Sequence, residues 1–397
     1  MLTSTSARIR CCVKGGGPPY FSTMSVLAHS ALALLLPSCQ ATPPAATRPS
    51  DAQFDWLAWQ KDMMGRTSPE KGCFSATPPS PVWQSVACET TSSHPLIPAK
   101  GPQPATIGNG IDNALETTTL VSEAQGSFLD AVVGPTSEEN VLGDASTGKD
   151  SFSLQLNSNR FTTSACDNSP QKEKCQGWQQ FELQNDGVQT ASITVQYWLI
   201  DYGRPCPTDW HEFGDEPDAG ITGSDCFVNG PRYQIPGAPL SIADIGHFHL
   251  AGSVSRGLDW VFFWQNDGPL YAQSGRSLLN LALEWHGAEF NVVGLQDGSR
   301  ANFGAGTTIT VQLNLGSSVG GVTGSCADAG FTGFTGETNS LDLLRPCCPV
   351  QAGILFTESN VADAKSPCEC PTGLTWNPDP ARCELLSAPF PGGGLER

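Results

Sequence analysis

From about Thr117 to Gly316 the chain is a succession of short segments in which polar and apolar side chains alternate. "FSLQLNSNRF" (Phe152 to Phe161), "WQQFELQNDGVQTASITVQYWLID" (Trp178 to Asp201), "LDWVFFWQ", "AEFNVVG" and "TTITVQLNLG" all carry this texture, and no helical repeat separates them. Successive side chains of a strand point to opposite faces, so each segment predicts a strand with one face turned to a core. Strands in series, with turn chemistry between them, predict an antiparallel β-sandwich. The supply of turn residues agrees, with 42 Gly and 31 Pro against only 15% charged residues. The turn of the Trp178 to Asp201 hairpin is marked by Asn185-Asp186-Gly187. A short helix is predicted over Phe54 to Met64, "FDWLAWQKDMM", from the spacing of its apolar residues.

The ends of the chain have a different texture. "VLAHSALALLL", Val26 to Leu36, is too short to cross a membrane and suits the core of a signal peptide, with Met24 a candidate initiator. It runs into "LPSCQ", which resembles a bacterial lipobox and makes Cys39 the candidate lipidation site, although Pro37 is unusual there. Residues 1–38 are therefore read as leader, and 39–72 as linker and short helix. The expected location is extracellular or at the cell surface, as a lipoprotein or in a freely secreted form. A formal charge of −18 disfavours nucleic acid and anionic lipid as partners and suits an acidic medium.

Cysteine usage points to an oxidising compartment. Twelve of the 15 cysteines lie beyond Cys39, and no pair of zinc-type CxxC motifs is present. Cys73 pairs with Cys88 and Cys166 with Cys175 in this reading; Cys206 and Cys226 are also taken as disulfide cysteines. The sandwich is expected over 73–316. Residues 317–397, with six cysteines, are expected to form a small cysteine-rich C-terminal module of open connectivity. Its end, "CPTGLTWNPDPARCE", resembles half of a peritrophin-type chitin-binding module.

Few familiar catalytic devices are present: the chain has no GxSxG, HExxH, Walker or Rossmann glycine motif. "HFH" would set His247 and His249 on one face of a strand, but two histidines without a third ligand are an ordinary surface pair. The acidic loop Asp215 to Asp225 lacks the EF-hand pattern and is read as solvated. No metal and no cofactor is expected. The conspicuous residue is Glu289, a carboxylate inside the strand of "EWHGAEFNVVG". Alternation puts Glu289, Asn291 and Val293 on one face, and Ala288, Phe290 and Val292 on the core face. By the same rule Gln196 lies with Thr194 and Trp198, and Trp178 with Gln180 and Glu182. A sheet face bearing amides, carboxylates and tryptophans is a binding surface for peptides or sugars.

Over Trp178 to Val311 the order of these pieces resembles the glutamic peptidases of the eqolisin type. Gln196 sits in a strand, Trp210 follows 14 residues later in "DWHEF", "ADIGHFHLAGSV" stands where the next strand belongs, and Ala288-Glu289-Phe290 matches the catalytic tripeptide before "ANFG". "EWHGAE" is also similar to the neprosin-type glutamic peptidases, which use two Glu. Two departures stand out: bulky Tyr197 and Trp198 follow the Gln, and "NVV" replaces a segment ending in a second Glu. The resemblance implies a secreted, acid-active β-sandwich (concanavalin/glutamic-peptidase-like) hydrolase, monomeric, acting on a polypeptide. It implies Gln196 and Glu289 as the catalytic pair, Trp178, Trp210 and Glu212 around the substrate, and Asp201 in support. The competing expectation is a non-catalytic, lectin-like or peptide-binding lipoprotein using the same groove for a peptide or glycan.

Overall fold

The computed structural model describes residues 54–66, 70–89, 113–134, 136–139, 148–213, 225–255, 257–295, 299–328, 337–350, 353–361, 374–377 and 382–385. All of these belong to one unit, Phe54–Arg397. The leader, Cys39, and the acidic loop up to Asp225 lie outside the described residues.

The protein is all-β, as the alternation requires. One sheet of 11 strands runs in the order Gln84–Val86, Gly72–Ala76, Leu270–Arg276, Leu258–Gln265, Phe248–Val254, Glu123–Val132, Thr308–Gly316, Gly353–Ser359, Asp342–Val350, Arg382–Leu385, Leu374–Asn377. A second, of nine strands, includes Asn113–Thr117, Gly287–Val293, Ser151–Ser158, Gln176–Asp186, Ala191–Ile200 and Asp225–Asn229 as consecutive neighbours. Its outer members are Gly324–Asp328 and His211–Phe213, and Tyr233–Gln234 pairs with Ala191–Ile200 off the main path. A small sheet of three strands holds Arg300–Phe303.

The apolar halves of the alternating strands meet between the two large sheets. Phe152, Leu154 and Leu156, Ile193, Val195 and Leu199, and Ala288, Phe290 and Val292 are all buried in one core with Phe128, Phe248 and Phe263. Phe290 meets Phe128 with ring centroids 5.1 Å apart. That contact needs Gly126, because a Cβ there would lie 2.1 Å from the Phe290 ring. Burying such a side chain stabilises the fold by roughly 1.5–3 kcal/mol.

A smaller cluster lies on the other side of the first sheet. The helix Trp56–Gly65 buries Trp59, Met63 and Met64 against Phe74, Trp260, Phe262 and Trp264. The Asp55 carboxylate caps it by accepting from the Ala58 N–H. Its position matches the predicted helix to within two residues.

Four disulfides are formed among the described residues. Cys73–Cys88 and Cys166–Cys175 join the expected partners, Cys206 and Cys226, expected only as disulfide cysteines, pair with each other, and Cys326–Cys347 supplies one tail pairing that the spacing left open. Two expectations need correction. The boundary at 317 does not hold, because Gly324–Asp328 pairs with Asn113–Thr117 and Gly353–Ser359 pairs with Thr308–Gly316. These strands satisfy backbone groups that would otherwise be left open at the sheet edges. The hairpin, by contrast, turns where expected, at Asn185-Asp186-Gly187. Asn185 pairs with Ala191, and the Asp186 carboxylate accepts from the N–H groups of Val188, Gln189 and Thr190. Finally, His247 ends a 3-10 turn, Ile242–His247, and the strand starts at Phe248, so the two histidines do not share a strand face.

Candidate functional site

The strand order of the second sheet decides which polar side chains meet. Glu289 lies opposite Asn157, Asn157 opposite Gln180, Gln180 opposite Gln196, and Gln196 opposite Asn229. Cross-strand partners share a face. One carboxylate and four carboxamides therefore form a row across five strands, on the face turned away from the core. Beside it runs a second row, Asn291, Gln155, Glu182 and Thr194. Both rows are buried except at half-buried Asn229, Glu289 to 2% exposure and Asn157 to 0%.

Gln196 and Glu289 thus share a face, as alternation predicts, but Asn157 and Gln180 stand between them. Three inter-strand steps amount to roughly 14 Å between their α-carbons. The Gln196 amide donates to Asn229 Oδ1 at 2.6 Å, and its carbonyl accepts from the Trp198 indole at 2.6 Å. The same indole donates to Gln180 Oε1 at 2.9 Å, and Gln180 Nε2 donates to Gln155 at 3.3 Å. Trp198, Trp178, Phe213 and Phe227 form an apolar patch along one side of this network. Trp178 donates from its indole to the Ser158 carbonyl at 3.0 Å.

The other residues expected around the substrate are dispersed. Trp210 is half-buried against the core in the segment closed by Cys206–Cys226. Glu212 lies opposite Cys226, hence on the reverse face from Phe227 and Trp198, and pairs with Arg204 at 3.4 Å. Asp201 is exposed at the end of its strand, where its N–H donates to Asp225. Tyr197 and Trp285, both able in principle to block a groove, are core residues instead. The Tyr197 hydroxyl donates to the Arg276 carbonyl, and Trp285 stacks on Phe181 at 5.6 Å.

Asn159 and Asn157 are not among the sequence-predicted site residues, and Glu182 is placed on the polar face there without a role. Asn159 clamps the turn that delivers Glu289: its carbonyl accepts from the N–H of His286 and Gly287, and its amide donates to the Glu284 carbonyl. Asn157 is fully buried, and neither its Oδ1 nor its Nδ2 has a hydrogen-bond partner. Glu182 is pushed up to about 7, first by burial and then by the Glu337 carboxylate, against the pull of the Gln184 amide and Arg232. Alternation already turned Asn157 and Glu182 outward, but nothing in the sequence said which strands would lie beside theirs.

Two clefts open near these sheets. One, of 570 Å³, is lined by Glu116, Asn159, Arg160, His286, Gly287 and Ser325. Gly287 and Asn159 each lie two residues along their chain from Glu289 and Asn157, so this cleft ends beside the polar row. The other, of 600 Å³, lies along the helix and is lined by Gln60, Lys61, Glu123, Gln125, Trp264 and Asn314 among others. His249 stacks on Trp264 with centroids 5.0 Å apart, and burial, then His247, lowers its pKa to about 4. Among the described residues no three His, Cys, Asp or Glu side chains gather as a metal site.

No family model matches the sequence, and no curated protein matches it. Among solved structures, two crystal structures of scytalido-glutamic peptidase are similar, one with a transition state analog inhibitor and one with a peptide-based transition state analog. They share 10% and 11% identity, cover 62% of this chain and 96% of theirs, and reach a TM-score of 0.29. At that score the likeness assigns neither family nor activity.

Proposed function

We propose that the chain is a secreted or lipid-anchored, acid-active glutamic peptidase-like hydrolase. The observation that supports this reading is the row that sets Glu289 on one face with a series of carboxamides. In this reading the ionised Glu289 takes a proton from a water molecule as that water attacks the scissile carbonyl carbon. A carboxamide of the row donates to the oxyanion that develops only in the transition state. The C–N bond then breaks, and Glu289 returns its proton to the leaving amine, giving a carboxylic acid and an amine. A base that must be ionised in acid cannot have a strongly raised pKa, so an acidic optimum follows. The test is digestion of casein between pH 3 and 7 by wild type and Glu289→Gln. Loss of a general base predicts a fall on the order of 10²–10⁴ in kcat. Equal activity in the two proteins would exclude Glu289 from the mechanism.

A second reading, a lectin-like binding module, draws support from the 600 Å³ cleft with Trp264 and several amides in its lining. Retention on immobilised glycans that is lost on Trp264→Ala, with no peptidase activity, would favour it. Anchorage through Cys39 belongs to the same proposal, and Cys39→Ala should release the protein from membranes.

A further inference from the structure

We infer that Asn157, and not Gln196, is the carboxamide that meets the oxyanion beside Glu289. The inference rests on the hydrolase reading above and deepens it. The Gln196 amide and carbonyl are both engaged, by Asn229 and by the Trp198 indole. Gln180 is engaged in the same way, by Trp198 and Gln155. Asn157 alone of the row's three central carboxamides has neither polar atom in a hydrogen bond, although it is wholly buried. An unpaired buried amide costs about 1–3 kcal/mol, so its persistence calls for a role.

Position agrees with occupancy. Asn157 is the direct cross-strand partner of Glu289. Side chains so paired have Cβ atoms roughly 5 Å apart, whereas Gln196 is three strands away. A carbonyl group set between Glu289 and Asn157 would have the base on one side and an amide N–H on the other. That donor forms its bond only as the oxyanion appears, because no partner in the protein competes for it. The 570 Å³ cleft does not include the pair in its lining, but its Gly287 and Asn159 lie two residues from Glu289 and Asn157 along their strands, which makes it the route of entry in this proposal. Gln196 is left as a positioning residue that fixes Trp198, and through it Gln180.

The experiment measures kcat, KM and the pH–rate profile on casein-derived fluorogenic peptides for the full-length protein. Wild type is compared with Glu289→Gln, Asn157→Ala, Asn157→Asp and Gln196→Ala, each checked for native near-UV circular dichroism. Asn157→Ala should lower kcat by on the order of 10²–10³, with KM changed less than about threefold, as expected for one lost oxyanion donor. Gln196→Ala should lower kcat less than about tenfold. Asn157→Asp sets a second carboxylate beside Glu289, which raises the base's pKa and moves the acidic limb to higher pH. That shift is a readout a purely structural role would not produce, and it survives if the alanine variant fails to fold. If Glu289→Gln is inactive while Asn157→Ala keeps kcat within threefold of wild type, or Asn157→Asp leaves the acidic limb in place, the assignment is overturned. If wild type and Glu289→Gln are equally active, or both inactive, the hydrolase reading itself fails, and the Asn157 assignment with it.

Discussion

Asp259→Asn should flatten the dependence of stability on pH. Asp259 lies on the core side of the strand Leu258–Gln265 at 0% exposure, facing Tyr197, Gln179 and Ser277 from within the sandwich. Burial, the dominant cause, raises its pKa from 3.8 to about 7, and the polar groups of Ser277, Tyr197 and Gln179 nearby offset only part of that. An unfolded chain releases the same proton near pH 4. Between about pH 4 and 7 the folded state therefore holds one more proton than the unfolded state, and stability must fall as pH rises. This contribution is complete below about pH 4 and is lost once pH passes about 7. Three pKa units at about 1.4 kcal/mol each give roughly 4 kcal/mol for this one group. Asparagine has nearly the shape of the protonated acid and cannot ionise. The variant should match wild type near pH 4 and exceed it by up to roughly 4 kcal/mol at pH 8. Urea unfolding followed by tryptophan fluorescence, with disulfides intact, gives both curves. Glu182 and Asp225 are raised to about 7 and about 6, each chiefly by burial, and shift both proteins alike, so the difference curve isolates Asp259. Parallel curves for wild type and variant between pH 4 and 8 would refute the reasoning.

Other outcomes follow from packing and connectivity. Gly126→Val should destabilise by about 3 kcal/mol, because its Cβ would overlap the Phe290 ring; an unchanged urea midpoint would contradict the contact. Asn159→Ala removes the acceptor for two N–H groups and should cost about 2 kcal/mol, with hydrogen exchange at His286 and Gly287 speeding up more than in the core strands. Replacing Cys206 and Cys226 together by serine frees a loop of 20 residues and should cost about 3 kcal/mol, read as a lower thermal midpoint under oxidising conditions.

Much of the fold was legible because alternation is a local property. Phe152, Leu154 and Leu156 declare one face of their strand and Ser153, Gln155 and Asn157 the other, whatever lies beside them. The helix around Trp59 and Met63 was legible for the same reason, through its own apolar spacing, and close cysteine pairs such as Cys166 and Cys175 had few partners to choose from. The tail was not legible. Gly324–Asp328 and Gly353–Ser359 read as a cysteine-rich appendix, yet they complete sheets whose other strands lie far away in sequence.

The sequence by itself determined that Glu289 and Gln196 point away from the core, because the side-chain period of a strand is two. It could not determine how many strands separate them. That number depends on which backbone edges hydrogen-bond to which, and strand order is set by the packing of the whole chain. Only the tertiary structure inserts Ser151–Ser158 and Gln176–Asp186 between the two, setting Asn157 beside Glu289 and leaving Gln196 against Trp198.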